Sequence, residues 1–443
     1  MKIALVSEHA SPLAAAGGID AGGQNVYVAN VARQLVRKGH RVDVFTRRES
    51  ASVRDVVVDS GVRVIHVPAG PAEVIRKEDL LPHMGQFAAF LLATARAESA
   101  KGEGYDLVHA NFFMSAFASL PACRTLSLPL VTTFHALGRV RRLHQGTQDG
   151  FPDARFAIED LTVQASDRMI AECPQDRSDL IALYDADPSR IAVVPCGFEP
   201  SEFEPVDRDA ARRRLGWDPR TFTILQLGRL VPRKGIDNVI RALAPLERLH
   251  GVRARLIVVG GNSDEPDVAS TPEIGRLRAV AVETGVDAQV TFVGRREREA
   301  LSLYYGACDV FVTTPWYEPF GITPVEAMAC ARPVIGARVG GIQSTVVDGT
   351  TGLLVPPHAP MPLASALARL ARDPELARRY GQAGRERAVR EYTWAIVAAR
   401  LLETYQDAVD ARRGRRVAAR RGANASARGA SVVGMRSPDT VRR

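Results

Sequence analysis

Short apolar strands alternating with helical stretches, in two successive series, make this an α/β protein of two doubly wound halves that face a cleft. Three observations carry that reading. The chain has 443 residues, too many for one compact core and suited to two domains of roughly 100–200 residues with an extension. Its composition, 46% hydrophobic and 24% charged, is that of a globular protein and excludes a fibrous or wholly disordered chain. The alternation begins at Lys2 and begins again at Thr221, on either side of a segment rich in proline and charge, 199–219, that reads as a linker.

In the first half, 2–7 reads as a strand and 24–38 as a helix. Gly39 stands where a helix C-terminus favours glycine. Strands follow at 41–46, 62–67, 107–110, 130–134, 168–171 and 191–194, with a helix over 151–166. In the second half, strands at 223–227, 254–259, 289–293, 310–313 and 333–336 alternate with helices over 237–249, over 271–284 and from Thr323. Sheets of this kind bind ligands beyond the carboxyl ends of their strands, so function is expected in the loops after strands.

Several classes fall away. The most apolar stretch, 87–95, is far short of the roughly 20 residues that span a bilayer. The first strand runs straight into Ser7-Glu8-His9, without the pattern of a signal peptide. Cys123, Cys173, Cys196, Cys308 and Cys330 are widely spaced and form no CxxC pair, which suits a reducing cytoplasm better than a disulfide framework or a zinc ribbon. The net charge of +8 is local. From Ala411 onward ten arginines face one acid, Asp439, so this tail carries +9 and the other 410 residues sum to −1. An Arg/Ala/Gly/Ser-rich stretch without apolar periodicity reads as disordered. It serves either as a solubilising tail or as a weak contact for a polyanion or an anionic membrane surface.

Three loops carry candidate chemistry. The first, Ala14-Ala15-Ala16-Gly17-Gly18-Ile19-Asp20-Ala21-Gly22-Gly23-Gln24-Asn25, links the first strand to the first helix. Its glycines permit close backbone approach, and the helix behind it presents free N–H groups to an anion. The second, Gly228-Arg229-Leu230-Val231-Pro232-Arg233-Lys234-Gly235, puts Arg229 and Lys234 at a strand's C-terminal end, where two cations could straddle a diphosphate. Asp237 is expected to cap the helix that follows. The third runs from Thr314 to Ala329 and holds two acids eight residues apart. Pro319, Gly321 and Pro324 forbid a continuous helix between them, so Glu318 belongs to the loop and Glu326 to the helix. Thr323 as N-cap with Pro324 and Glu326 behind it spells a capping box, which by itself would explain Glu326. An acid beside Trp316 and Tyr317 suits recognition of sugar hydroxyls.

The Glu318–Glu326 pair resembles the EX7E element of retaining glycosyltransferases of family 4, which have the GT-B fold of two Rossmann-like domains. The resemblance extends over about residues 1–410 and includes AGGQNVY from Ala21, TFHALG from Thr133, GRLVPRKG from Gly228, VGGI and DGTTGLLVPP. Within the family the chain is similar to inositol-phosphate N-acetylglucosaminyltransferases and sucrose-phosphate synthases. The resemblance implies an acceptor domain over 1–205, a nucleotide-sugar donor domain over 206–390, a helix over 391–411 crossing back to the first domain, and the basic tail over 412–443. It implies that Arg229 and Lys234 contact the donor diphosphate, that Glu318 holds hydroxyls of the transferred sugar, and that His135 lies beside that sugar. Gly22, Gly23 and the Phe320-Gly321-Ile322 backbone would line the donor, Glu326 would bind its ribose, and the base would sit near 293–295, at Arg295. No metal is implied, since two fixed cations do the work of a divalent ion, and the nucleotide sugar is a cosubstrate with no further cofactor. A UDP-sugar such as UDP-glucose is the expected donor, with GDP-mannose next.

The expected acceptor is a small hydroxylated or phosphorylated sugar or cyclitol, met by Asn25, Lys77 and Arg155, with Arg139, Arg141 and Arg142 crowding a nearby loop. Here the chain departs from the inositol-phosphate enzymes: Ala136 replaces their threonine, and Phe112 or Phe113 their tyrosine. A nucleotide-sugar epimerase of the same fold and a non-catalytic anion-binding protein acting through its tail remain as alternatives. A phosphorylase is disfavoured by the absence of a signature for lysine-bound pyridoxal phosphate.

Overall fold

The computed structural model describes residues 1–13 and 22–432. Its first sheet is built from β1 (Lys2–Val6), β2 (Arg41–Arg47), β3 (Val56–Asp59), β4 (Val62–Val67), β5 (Leu107–Asn111), β6 (Leu130–Thr133), β7 (Arg168–Ala171) and β8 (Ile191–Val193). They lie in the order β3-β4-β2-β1-β5-β6-β7-β8, all parallel except β3, which runs antiparallel to β4. The second sheet contains β9 (Phe222–Leu227), β10 (Ala254–Val259), β11 (Val290–Gly294), β12 (Val310–Thr313), β13 (Val334–Ala337) and β14 (Gly352–Val355). Its order is β11-β10-β9-β12-β13-β14, all parallel.

Burial on both faces explains why the central strands read as unbroken apolar runs rather than alternating ones. Every residue of β1 is buried, with Ile3 opposite Val42 on one side and Leu107 on the other. In the second sheet Ile224 of β9 lies between Leu256 and Val310. The chain leaves β1 towards β2 and later returns to its other side as β5, and β9 stands likewise between β10 and β12. These two reversals open a crevice at the carboxyl end of each sheet.

Some local expectations differ from the structure. Helix Ile322–Ala329 begins one residue early, with Gly321 at φ 91 as its N-cap and without a side-chain cap, so the capping box expected at Thr323 does not form. A proline is tolerated throughout a first turn, because those N–H groups have no partner inside the helix. Asp237 is likewise inside helix Ile236–His250, behind Gly235, and pairs with Arg276 at 3.7 Å. Strands β3 and β14 and helix Met84–Ala100 were not resolved from the sequence pattern. That helix contains the apolar 87–95 stretch.

The C-terminal helix, Trp394–Val432, ties the two halves together. Phe198 and Thr393 form a bridge, and Trp394 N donates to the Phe198 carbonyl at 3.1 Å. Trp394, Val397, Leu401 and Tyr405 then pack in one apolar core with Ile3, Tyr27 and Val28 of the first half. That same core includes Leu225, Phe311, Phe320 and Met328 of the second half. Arg412 meets Asp167 at 3.6 Å near the far end. The helix runs past Arg412 into the basic stretch. Residues 433–443 lie outside the described residues, as do 14–21 of the first glycine-rich loop. No helix among the described residues is long and apolar enough to cross a membrane. All five cysteines are buried free thiols.

Candidate active site

The loops after β1, β6, β9 and β12 converge on the cleft. On the first side, Gly22 caps helix Gly23–Arg37, and its N–H donates to Asn25 Oδ1 at 3.0 Å. A Cβ added to Gly22 would lie 3.9 Å from Arg229 Nη1, and one on Gly23 would lie 3.6 Å from Ile322 Cδ1. The glycine pair therefore faces the second half directly, at the unpaired amino end of a helix. His135 follows β6 with φ 57. Its Nδ1 lies 2.9 Å from Glu172 Oε1 and its Nε2 3.0 Å from Asn111 Oδ1.

On the second side, two loops are stitched to each other. Thr314 Oγ1 donates to the Gly235 carbonyl at 2.9 Å, and Trp316 N to the Arg233 carbonyl at 2.9 Å. Lys234 Nζ thereby meets the Glu318 carboxylate in a short ion pair, with Arg233 Nη1 at 3.5 Å. Burial would raise the Glu318 pKa, but Lys234 and Arg233 outweigh it and hold the carboxyl below its usual range. Burial also draws Lys234 below the usual lysine range, against the pull of Glu318. The Glu318 carbonyl accepts from Gly341 N at 3.0 Å, and the Gly340–Gly341 turn fits there only because it lacks Cβ atoms.

Tyr317 reaches across the cleft. Gln145 Nε2 donates to its hydroxyl at 2.5 Å, His144 stacks on its ring at 4.9 Å, and the Arg233 guanidinium lies 5.3 Å from the ring centre. Phe320 is buried behind Glu318. Glu326 lies deeper, accepting from Arg298 Nη1 at 3.1 Å and from the Tyr305 hydroxyl at 3.0 Å. Burial raises its pKa in spite of both partners. Arg295, after β11, pairs with Asp264 at 3.0 Å beyond the end of that strand.

The structure thus brings Gly22, Gly23, Arg229, Lys234, Glu318, Phe320, Gly321 and Ile322 to one cleft. The residues expected at the acceptor are disposed differently. Asn25 uses both ends of its amide on backbone, accepting from Gly22 N and donating to the Ser11 carbonyl at 3.1 Å. Arg155 is 1% exposed. Its Nε donates to the buried Glu159 at 2.7 Å, another nitrogen donates to the Ala136 carbonyl, and Phe112, Phe113 and Phe151 surround the guanidinium. It braces the turn after His135 from beneath. Lys77 lies half-buried in the short turn Lys77–Asp79. Arg139, Arg141 and Arg142 each hold an acid: Asp160 at 2.5 Å, Asp149 at 2.7 Å and Asp153 at 2.9 Å.

Several polar residues of the site belong to none of the sequence motifs. Glu8 and His9 follow β1 at the crevice, with His9 Nδ1 2.8 Å from Glu8 and Glu8 also held by Ser115. Their place after the first strand could have marked them. Asn111 and Glu172 reach His135 from the ends of other strands, and Cys196 reaches Glu172 in turn, a proximity that only the topology creates.

Comparison with known proteins supplies an independent view. Residues 21–202 match the family described as Glycosyltransferase Family 4, and residues 207–387 match Glycosyl transferases group 1. A D-inositol 3-phosphate glycosyltransferase of Stackebrandtia nassauensis is 37% identical over 417 residues, covering 93% of this chain and 92% of the relative. The sucrose-phosphate synthase of Thermosynechococcus elongatus superposes with a TM-score of 0.82 at 33% identity, covering 91% of this chain and 98% of that one. The Anabaena protein Alr3699/HepE, solved in complex with UDP-glucose, shares the fold with a TM-score of 0.70 at 20% identity, covering 92% and 99% of the two chains.

Proposed function

The chain belongs to glycosyltransferase family 4 and is a GT-B glycosyltransferase, and we propose that it moves a sugar, with retention of anomeric configuration, from a UDP-sugar to a hydroxyl of a sugar phosphate or cyclitol phosphate. The observation that carries this reading is the Lys234–Glu318 pair, with Arg233 beside it, on a wall whose Arg229 and Ile322 meet Gly22 and Gly23 of the other half. Breaking a glycosyl–diphosphate bond builds negative charge on the leaving phosphate. Lys234, Arg229 and the amino end of the helix that starts at Gly23 are fixed donors for that charge, and preorganised stabilisation of this kind is usually the largest catalytic term. With those cations in place the reaction needs no divalent metal. Glu318, released from Lys234 as the diphosphate takes its place, accepts hydrogen bonds from the transferred sugar, and Glu326 holds the ribose.

The acceptor oxygen attacks the anomeric carbon from the face the diphosphate leaves, and a donor phosphate oxygen takes the acceptor proton. Neither Glu318 nor Glu326 is assigned as a nucleophile, since attack on the face the diphosphate leaves needs no carboxylate behind the anomeric carbon. UDP is favoured by the UDP-glucose complex of the Anabaena neighbour, and a phosphorylated cyclitol by the name of the Stackebrandtia relative. The enzyme is placed in the cytoplasm, where nucleotide sugars are at hand.

The test is UDP release from UDP-glucose and UDP-N-acetylglucosamine with D-inositol 3-phosphate and phosphorylated hexoses, with and without EDTA, followed by NMR of the product's anomeric proton. Acceptor-dependent release, unaffected by EDTA, with an α-linked product is expected. An inverted product would contradict retention. Turnover of the donor without any acceptor would point to an epimerase instead.

A further inference from the structure

The turn after β6 holds His135 in the left-handed region at φ 57, an uncommon state for a residue with a Cβ. It aims the ring between the ends of β5 and β7. Nε2 lies 3.0 Å from Asn111 Oδ1, and Nδ1 lies 2.9 Å from Glu172 Oε1. The orientation of the Asn111 amide is set by its other contacts. Its Nδ2 lies 3.4 Å from the carbonyl oxygens of Val6 and His109, which can only accept, so the NH2 group is there and the oxygen faces the ring. Glu172 Oε1 also accepts from Cys196 Sγ at 3.1 Å. Both ring nitrogens of His135 therefore face acceptor oxygens. A neutral imidazole has one N–H to offer, and only the imidazolium has two.

We propose that His135 works as an imidazolium and that Glu172 is a positioning residue for the transfer, holding that charge on the floor of the cleft. The inference rests on the transferase reading of the site. It places a positive charge opposite Lys234 and Arg229, so that the diphosphate is met by cations from both halves of the molecule.

The surrounding groups agree. From helix Gly23–Arg37 the Tyr27 ring meets His135 edge to face at 4.8 Å, and burial keeps its phenol protonated. Burial pushes His109 down to about 3, and His135 adds to that shift, so His109 and its partner Tyr405 bring no charge. Cys196 is raised by burial, and Asp176 is pushed up to about 8 by burial and then by Glu172. Glu318, across the cleft, acts on Glu172 at longer range. Glu172 itself stays below the usual carboxylate range because His135 and Cys196 outweigh its burial. The pair buried together is thus His135 and Glu172, with His135 the more exposed to the cleft, 9% against 4%.

The first readout is the 15N signature of the His135 ring in the full-length protein, assigned by its loss in His135→Asn. Two protonated nitrogens at neutral pH are expected in the wild type, and one in Glu172→Gln, because removing the carboxylate lowers the pH at which the ring loses its proton. A neutral ring in the wild type would overturn the proposal whether or not any variant folds. The second readout is the pH dependence of kcat between about pH 5.5 and 9. In Glu172→Gln the rate should fall about tenfold per unit above the ring's lowered pKa, while the wild type stays level there and Glu172→Asp recovers most of the rate. A Glu172→Gln profile parallel to the wild type would overturn it. A wild type that transfers no sugar yet shows the doubly protonated ring would refute the transferase reading alone.

Discussion

Lys234 and Glu318 are held together before any donor arrives, and that has a consequence for each. A cation at the edge of a buried loop needs a counter-charge when the cleft is empty, and Glu318 supplies it. A bound diphosphate takes over that role and frees the carboxylate for sugar hydroxyls. Lys234→Ala is therefore expected to lower kcat at least about tenfold while the melting temperature stays within about 2 °C, because Arg233 remains beside Glu318. Turnover near the wild-type rate would remove Lys234 from the chemistry. At this scale the sequence was a good guide to the donor side, where Arg229, Lys234 and Glu318 stand in loops after strands. It was a poor guide to the acceptor side. Arg155 reads as a free cation, yet the fold buries it against Glu159 four residues on, and nothing in a linear pattern separates a helical ion pair from a ligand contact.

At the scale of elements, the site depends on loops that approach each other more closely than side chains allow. Gly235 has φ 63, and a Cβ there would stand 2.0 Å from the Thr314 carbonyl oxygen. Gly235→Ala should push apart the loops carrying Lys234 and Glu318 and cost about 2–4 kcal/mol in urea unfolding. A stability equal to the wild type would contradict that close approach. A second element-level contact is Lys2 of β1 with Glu98 of helix Met84–Ala100. The hydrogen bond from Lys2, together with Lys101 and Arg63, brings Glu98 down to about 2 from its ordinary 4.5, in spite of burial. A carboxyl depressed on folding stabilises above its unfolded pKa and loses that stabilisation as pH falls through its folded pKa. Glu98→Gln should therefore be less stable than the wild type at pH 7, with the gap closing between about pH 4.5 and 2 in melts followed by circular dichroism. A constant gap across that range would rule out the linkage. Buried parallel strands such as β1 and β10 were legible as apolar runs of the right length. The edge strands β3 and β14 were not, because β3 buries no residue fully and β14 opens on a glycine, so neither shows the apolar run of a central strand. The start of helix Ile322–Ala329 was misplaced because Gly321 can turn the chain where Thr323 looked the better cap.

At the scale of the whole molecule, the C-terminal helix makes the two sheets one body. Trp394 is fully buried where Phe198 meets Thr393, in the core shared by both halves. Trp394→Ala should cost about 3–5 kcal/mol and lower turnover as well, by loosening the register of the two sides of the cleft. The basic extension leaves this body beyond Arg412, at the amino ends of the strands and far from the loops of the site. Deleting residues 412–443 is expected to change kcat by less than about twofold, whereas a protein acting through its tail would lose its function. The two doubly wound halves followed from the strand–helix alternation, but the shared core did not, since it joins residues as far apart in the chain as Ile3 and Tyr405.

The central claim is that the cleft is built for a nucleoside diphosphate carrying a sugar. It is tested most directly by thermal stability against UDP, GDP, ADP and dTDP, each with EDTA, for the wild type and Lys234→Ala. A nucleotide at about 100 times its dissociation constant adds about 2.7 kcal/mol. UDP should raise the wild-type melting temperature by a few degrees in EDTA and raise Lys234→Ala much less. No shift with any nucleotide, or an equal shift in the variant, would contradict the account.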